Sequence, residues 1–129
     1  MQRKILLLFA CISLIGAARP SFAADEYAAA SVNEEGGIFF AWANTEAGAQ
    51  EQAVSACERV SKTCNRDPGV TNELNDVFAY MCCRSPNYSC AASPHETKSK
   101  AEEVVRSVLS DFTRCSIVGY YSARTGRKE

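Results

Sequence analysis

Residues 27–43 decide the fold and read YAAASVNEEGGIFFAWA. The last six of them, residues 38–43, are rich in aromatic side chains, which favour β-strands. A polar loop with two glycines, residues 33–37, separates them from the small and weakly apolar residues 27–32. Two strand candidates around a glycine-containing loop predict a β-hairpin. Alanine favours helices, so residues 27–30 alone also fit a helical turn, but we expect a strand.

An amphipathic helix is predicted after the hairpin, over residues 45–61, with Asn44 as a candidate cap. Its apolar positions recur with helical spacing, at Ala49, Ala53, Ala56, Cys57 and Val60. Residues 64–69 include a proline and a glycine and should break this helix. The following residues, 70–76, are polar and are expected to form a loop.

The second half of the chain predicts the same succession of elements. Residues 77–83 and 88–92 favour strands around a turn at 84–87. A second helix is expected to start at Ser93, with Pro94 in its first position and Glu96 closing a capping box. The apolar face of this helix comprises Ala101, Val104, Val105, Val108, Leu109 and Phe112. Residues 115–121 should form a last strand, and residues 122–129 a frayed tail.

A repeat is indicated by the spacing of the two helices. A shift of about 52 positions carries the apolar face of the first helix onto that of the second, so that Ala49 meets Ala101 and Ala53 meets Val105. The sequence therefore predicts a disulfide-bridged α+β domain. Two ββα-type repeats would form an antiparallel sheet with both amphipathic helices on one face.

The amino terminus has the features of a Sec-type signal peptide. Arg3 and Lys4 precede an apolar run over residues 5–18, and small residues stand at the positions that a signal peptidase recognises before Ala23. We expect cleavage after Ala23, which leaves residues 24–129 as a single domain. A membrane anchor is the alternative, but the run is shorter than the roughly 20 apolar residues a spanning helix needs. Lipidation at Cys11 is the other alternative.

Export of this kind predicts a periplasmic or secreted bacterial protein. The precursor has 14 basic and 15 acidic residues, and cleavage removes Arg3, Lys4 and Arg19 without removing an acid. The resulting net charge of −4 argues against nucleic-acid binding, which needs clustered cations. It equally argues against docking on anionic lipid. Because the apolar run is also too short to span a bilayer, we expect no stable membrane anchor.

Six of the seven cysteines remain after cleavage: Cys57, Cys64, Cys82, Cys83, Cys90 and Cys115. An even number in a small exported domain predicts three disulfides, for which 15 pairings exist. Adjacent residues of a strand point to opposite faces, so Cys82 and Cys83 should have different partners. Cys57 and Cys64 can pair only if the first helix ends between them.

Candidate catalytic groups are few. His95 is the one histidine of the chain, and the predicted capping roles account for the neighbouring Ser93 and Glu96. The paired carboxylates at residues 102–103 are expected to be solvated, and those at residues 34–35 lie in a loop where only their position favours a site. No CxxC pair is present. We therefore predict no catalytic residue, cofactor or metal site, although the adjacent Cys82 and Cys83 leave a thiol-redox role as an alternative.

A contact surface is the remaining candidate for a functional site. If helices cover only one face of the sheet, some aromatic side chains must face outward, and clustered exposed aromatics are typical of binding surfaces. The candidates for this contact patch are Phe39, Trp42, Tyr80 and Tyr121, although alternation places Phe39 on the face opposite Trp42.

The chain also resembles a known family. The opening Tyr27-Ala28-Ala29-Ala30, the hairpin, the spacing of Ala49, Ala53 and Cys57, then Cys64, and the later Cys90-Ala91-Ala92 resemble the secreted bacterial family called domain of unknown function 4189. The resemblance covers about residues 27–121. Two features depart from it: Val108 and Leu109 stand where the second helix would carry a cysteine, and Cys82-Cys83 is unusual. The family implies a compartment and an architecture, and no agreed activity.

Together these features predict a small exported, non-enzymatic binding protein with a protein partner in the cell envelope. An immunity or inhibitor role against a secreted toxin or hydrolase is one specific form, because a rigid acidic scaffold suits it. The alternative is a small envelope enzyme, either a hydrolase or a thiol-redox protein.

Overall fold

A computed structural model describes residues 26–129. The predicted signal peptide, its cleavage after Ala23 and the alternative at Cys11 lie outside the described residues. Within them, six strands and two helices follow one another along the chain. They are β1 (Tyr27–Val32), β2 (Ile38–Ala43), α1 (Glu46–Glu58), β3 (Gly69–Thr71), β4 (Val77–Ser85), β5 (Ser89–His95), α2 (Lys98–Val108) and β6 (Thr113–Ser122).

The strands form two three-stranded antiparallel sheets with the same topology. Their orders are β2-β1-β3 and β5-β4-β6, so the first strand of each half lies between the second and the last. The helix caps repeat at the same spacing: the Thr45 hydroxyl accepts a hydrogen bond from the Gly48 amide, and the Thr97 hydroxyl accepts one from the Lys100 amide. The predicted α+β class is confirmed, and the two halves fit a repeated ββα arrangement.

The two sheets pack face to face, with one helix on the outer face of each. Alternate residues of β1 and β4, represented by Ala30 and Tyr80, share one core between the sheets. On the opposite side of β1, Ala29 packs against Ala53 of α1, while the other face of β4 packs against Val105 of α2. The layers therefore run α1, first sheet, second sheet, α2. Each helix covers one face of its own sheet, and the sequence did not reveal the division into two sheets.

Several boundaries differ from the sequence-based expectations. α1 ends at Glu58 and is capped by Thr45, whereas Asn44 and an end near residue 61 were expected. The expected loop at residues 70–76 contains β3, which pairs with β1. Ser93 does not cap α2, because residues 93–95 continue β5 and pair with β4. Pro94 is tolerated there because β5 is an edge strand, where a missing N–H group breaks no ladder.

Three disulfides join Cys57 to Cys64, Cys82 to Cys90, and Cys83 to Cys115. α1 ends between the first pair, as their bonding requires. The other two bonds link residues that lie directly opposite each other on β4 and its two neighbours. Cys82 and Cys83 thus have different partners, as strand alternation predicts, because their side chains leave opposite faces of β4.

The tail, residues 122–129, differs from the frayed segment expected. It turns back along β6: the Ser122 amide donates to the Arg127 carbonyl at 2.9 Å, and the Glu129 amide donates to the Tyr120 carbonyl at 2.8 Å. Gly126 makes the turn with a φ of +74°, a backbone conformation that favours glycine. Ala123 is fully buried, so hydrophobic burial and hydrogen bonds hold the tail in place.

Candidate functional site

Sheet edges are the natural places to look for a binding site, because an edge strand offers unpaired backbone groups to another chain. Three of the four outer strands are shielded. β3 is three residues long. β5 contains Pro94 and lies so close to β3 that a Cβ on Gly69 would stand 2.4 Å from the Ala92 carbonyl oxygen. β6 has a register shift opposite Tyr80 and Met81 and pairs with the tail.

The fourth outer strand, β2, has none of these features. Its sequence is IFFAWA, without a charge, a proline or a glycine. Its pairing with β1 runs in unbroken register from Tyr27 opposite Ala43 to Val32 opposite Ile38. Natural proteins usually blunt such an edge with charges, bulges or a covering element. The outer edge of β2 is therefore the candidate site.

The hairpin fixes which backbone groups point to this edge. The Asn33 amide donates to the Gly37 carbonyl at 3.1 Å, so residues 33 and 37 form a hydrogen-bonded pair. Hydrogen-bonded pairs alternate along an antiparallel ladder. The backbone groups of Phe39, Ala41 and Ala43 therefore face β1. The backbone groups of Ile38, Phe40 and Trp42 face outward. Within the described part of the chain, they form no backbone hydrogen bond with a segment outside the sheet.

Local interactions hold the hairpin rigidly. The side-chain oxygen of Asn33 accepts hydrogen bonds from the amides of Glu35, at 3.0 Å, and Gly37, at 2.7 Å. Gly36 completes the three-residue loop with a φ of +92°. From the second sheet, the buried Tyr80 hydroxyl donates to the Asn33 carbonyl at 2.8 Å. β2 is thus presented in a fixed position.

Aromatic packing anchors the inner face of β2. The Phe40 ring stands edge-on to Phe78, with centroids 5.2 Å apart, and stacks beside Trp42 at 5.8 Å. The indole N–H of Trp42 donates to the Ala123 carbonyl at 2.9 Å, which ties the strand to the tail. Both rings also lie under Gly126. Phe40 and Trp42 remain half-buried, so their outer rims border the free edge.

The predicted contact patch is only partly brought together. Trp42 and Tyr121 lie on the same inner side, joined through Phe40, which is 6.3 Å from Tyr121. Phe39 lies on the outer face of β2, with its ring near Gly37. Tyr80 is wrong as a contact residue, because it is fully buried between the sheets and burial raises the pKa of its hydroxyl. Phe40 was missed, although alternation places it beside Trp42.

Positive charge lies next to this edge. A groove of about 440 Å³ between β2 and α1 is lined by the strand residues Phe40, Ala41 and Trp42 and by Gln52, Ser55, Ala56 and Arg59 of the helix and its cap. Arg59 is the charged residue of this lining. The tail next to Gly126 also contains Arg124, but its guanidinium donates a hydrogen bond to the Asn75 side chain at 2.9 Å. One cation, Arg59, therefore borders an uncharged strand in a protein whose expected mature charge is negative.

The candidate catalytic groups do not converge. His95 belongs to β5, where its Nδ1 accepts a hydrogen bond from the Glu96 amide at 2.9 Å. Glu96 pairs with Lys100 at 2.8 Å, and this contact holds the pKa of the Glu96 carboxyl below its usual range. Ser93 is buried within β5. Among residues 26–129, no group of three or more histidine, cysteine or acidic side chains is placed to hold a metal ion.

The adjacent carboxylates serve separate neighbours. Glu35 accepts hydrogen bonds from Ser61 and Thr63, which fasten the hairpin to the segment after α1. Glu102 accepts hydrogen bonds from Tyr120, at 2.7 Å, and from Arg106. These two bonds lower the pKa of the Glu102 carboxyl, and the contact with Glu102 raises the pKa of Tyr120. Both glutamates therefore fasten neighbouring elements of the fold.

All six cysteines of the described residues are paired. A vicinal Cys82–Cys83 bond is not formed, and Cys83 is fully buried. No helix within residues 26–129 is both long and apolar enough to cross a membrane.

Comparison with known proteins returned no matching family model, no matching curated protein and no matching solved structure. The resemblance to domain of unknown function 4189 therefore stays a prediction.

Proposed function

We propose that the chain is an exported, non-enzymatic binding protein of the bacterial cell envelope. The observation that carries this proposal is the outer edge of β2, an uncharged strand of six residues whose outward backbone groups form no hydrogen bond with another described segment. A soluble protein that keeps such an edge risks aggregation, and binding a partner is the usual reason to retain it.

The expected compartment supports the same function. Three disulfides in a domain of this size are typical of proteins that mature in an oxidising environment. We propose that residues 1–23 direct Sec-type export and that the protein acts in the periplasm or the external medium. Inhibition of, or immunity against, a secreted toxin or hydrolase is the specific form that suits a rigid scaffold with one prepared edge.

Site-specific photo-crosslinking tests the proposal. A photoreactive p-benzoylphenylalanine would replace Gln52, which is exposed on α1 and lines the groove beside β2. The matched control would carry it at Arg84, which is exposed in β4 on the other sheet. We expect a discrete envelope protein to crosslink from position 52 and not from position 84, and the purified partner to bind the purified mature chain.

Two results would contradict the proposed function. One is the absence of a partner that binds the purified chain, whichever surface carries the crosslinker. The other is turnover of an envelope substrate that His95→Ala abolishes while the disulfides and the far-ultraviolet spectrum stay unchanged, because this result would favour the enzyme alternative.

A further inference from the structure

We propose that the outer edge of β2 binds an extended, acidic segment of the partner as an added antiparallel strand. This inference rests on the proposed binding function and names the kind of ligand that the site takes. In such complexes the main-chain hydrogen bonds provide affinity, and the flanking side chains select the sequence.

The backbone geometry sets the mode of binding. Ile38, Phe40 and Trp42 present N–H and C=O groups outward in one row, because the bond between Asn33 and Gly37 fixes the alternation. The register with β1 has no bulge. A straight, unbroken row of this kind matches the ladder of an added strand.

The same edge would also suit a β-strand from a second copy of the chain. The charge around the edge distinguishes between the two occupants.

Charge favours an acidic occupant. Arg59 lines the groove beside Phe40 and Trp42 and is the charged residue of that lining. The carboxylates nearest to the strand in sequence, Glu35 and Glu46, stand beyond its two ends.

Glu35 is already engaged by Ser61 and Thr63, and Glu46 begins α1. A second copy would bring an uncharged β2 to Arg59, whereas an acidic segment would neutralise it. Complementary charge also speeds the encounter and fixes the register of the bound strand.

The length of the site limits the ligand. β2 has six residues, and Glu35 and Glu46 lie just beyond the two ends. A bound segment should therefore place its acidic side chains over the middle of the strand, beside Arg59. Apolar residues should alternate with the acids, because successive side chains of a strand point to opposite faces.

A fluorescence titration tests this inference directly, because Trp42 is the only tryptophan of the chain and lies in the site. The probe is a blocked eight-residue peptide that alternates glutamate and valine. We expect a saturable change in Trp42 emission. The same peptide N-methylated at every residue keeps its side chains and loses its N–H donors, so it should bind at least about tenfold more weakly. A lysine–valine peptide should also bind at least about tenfold more weakly, because its positive charges would be repelled by Arg59.

Matched charge reversals complete the test. Arg59→Glu should weaken binding of the acidic peptide by about fivefold or more, and Arg84→Glu should leave it unchanged. The inference would be overturned if the N-methylated or the lysine–valine peptide bound as tightly as the glutamate–valine peptide. It would also be overturned if the two charge reversals had equal effects, or if the glutamate–valine peptide did not bind at about 1 mM. A concentration-dependent dimer of the free chain, in which the backbone amides of Phe40 and Trp42 become protected from hydrogen exchange, would assign the edge to a second copy and also overturn the inference.

Failure of the inference is distinguishable from failure of the proposed function. If the purified crosslinked partner binds the mature chain but leaves Trp42 emission unchanged, the binding function stands and the assignment of the site to the β2 edge is wrong. If no partner binds the chain at any surface, the proposed function itself fails.

Discussion

The hydroxyl of Tyr80, at the centre of the second sheet, donates a 2.8 Å hydrogen bond to the carbonyl of Asn33 in the hairpin of the first sheet. Tyr80 is fully buried and Asn33 almost so. The bond crosses the core between the two halves and ends at Asn33. The pairing of Asn33 with Gly37 determines which backbone groups of β2 face β1 and which face outward. The position of the candidate site therefore depends on a contact made by the other half of the molecule.

Removal of that hydroxyl should destabilise the protein. Tyr80→Phe would leave the Asn33 carbonyl buried without its donor, which costs about 1–3 kcal/mol. Urea unfolding followed by Trp42 fluorescence measures the change. Tyr88→Phe is the control, because Tyr88 is 39% exposed and its change should stay within about 0.5 kcal/mol. If Tyr80→Phe changed the free energy of unfolding as little as Tyr88→Phe, the hydrogen bond between Tyr80 and Asn33 would contribute nothing to stability.

The disulfides should contribute unequally. Cys57 and Cys64 are 7 residues apart, and Cys83 and Cys115 are 32 apart. Loop-closure entropy predicts contributions of about 2.5 and 3.7 kcal/mol respectively, because a longer loop loses more freedom in the unfolded chain. Replacement of each pair by alanines, followed by thermal unfolding, should show a larger loss for Cys83→Ala with Cys115→Ala. The opposite order would contradict an entropic origin.

Acid should weaken the contact between α2 and β6. The hydrogen bonds from Tyr120 and Arg106 lower the pKa of Glu102 in the folded protein below its ordinary value of 4.5. A carboxyl with a lowered pKa stabilises the fold above the unfolded pKa, and this contribution is lost as the pH falls through the folded pKa. Glu102→Gln should therefore lower stability at pH 7 and have little effect at the acidic end of the profile.

The neighbouring Glu103 provides the control for that experiment. It is exposed on the same helix, so Glu103→Gln should leave the stability profile close to that of the unchanged protein. Unfolding measured from pH 7 down to about pH 2 covers the range in which carboxyl groups titrate. A difference between Glu102→Gln and the unchanged protein that persists at the lowest pH would show that Glu102 acts through packing and not through its charge.

The buried alanines of α1 should not tolerate substitution by larger side chains. Ala49 and Ala53 are fully buried against Ala29 and Ala41, which brings the helix close to the first sheet. Ala53→Leu should cost about 1–3 kcal/mol by overpacking this contact. Ala47→Leu, on the exposed side of the same helix, should change stability by less than about 0.5 kcal/mol. Chemical unfolding compares the two, and equal stability would mean that the helix can move away from the sheet at no cost.

Local pattern was enough to predict the elements with strong periodicity. Aromatic strand residues beside a glycine-containing loop identified the hairpin. Strand alternation predicted the separate partners of Cys82 and Cys83. The helical spacing of Ala49 and Ala53 located α1. The start of α2 was misplaced because a serine, a proline and a glutamate resemble a capping box, while pairing with β4 extends β5 through His95.

Long-range contacts explain what the sequence did not predict. β3 forms from a polar segment because β1 offers it a free edge. The tail is ordered partly by its bond with Trp42, which lies 81 residues away in sequence. Tyr80 was expected at a surface because a single sheet with helices on one side leaves its other face exposed to solvent. In the structure that face of β4 packs against the first sheet, so Tyr80 is buried. The free edge of β2 could be recognised only once the other outer strands had observed neighbours.

Amide hydrogen exchange, resolved residue by residue along β2, tests the central claim most directly. In the dilute free protein, Phe39 and Ala41 should be protected by their bonds to β1, while Phe40 and Trp42 should exchange quickly at the free edge. Saturation with the glutamate–valine peptide should then protect Phe40 and Trp42. If Phe40 and Trp42 are as protected as their neighbours before any ligand is added, the edge is already covered and the claim that β2 awaits a partner strand is wrong.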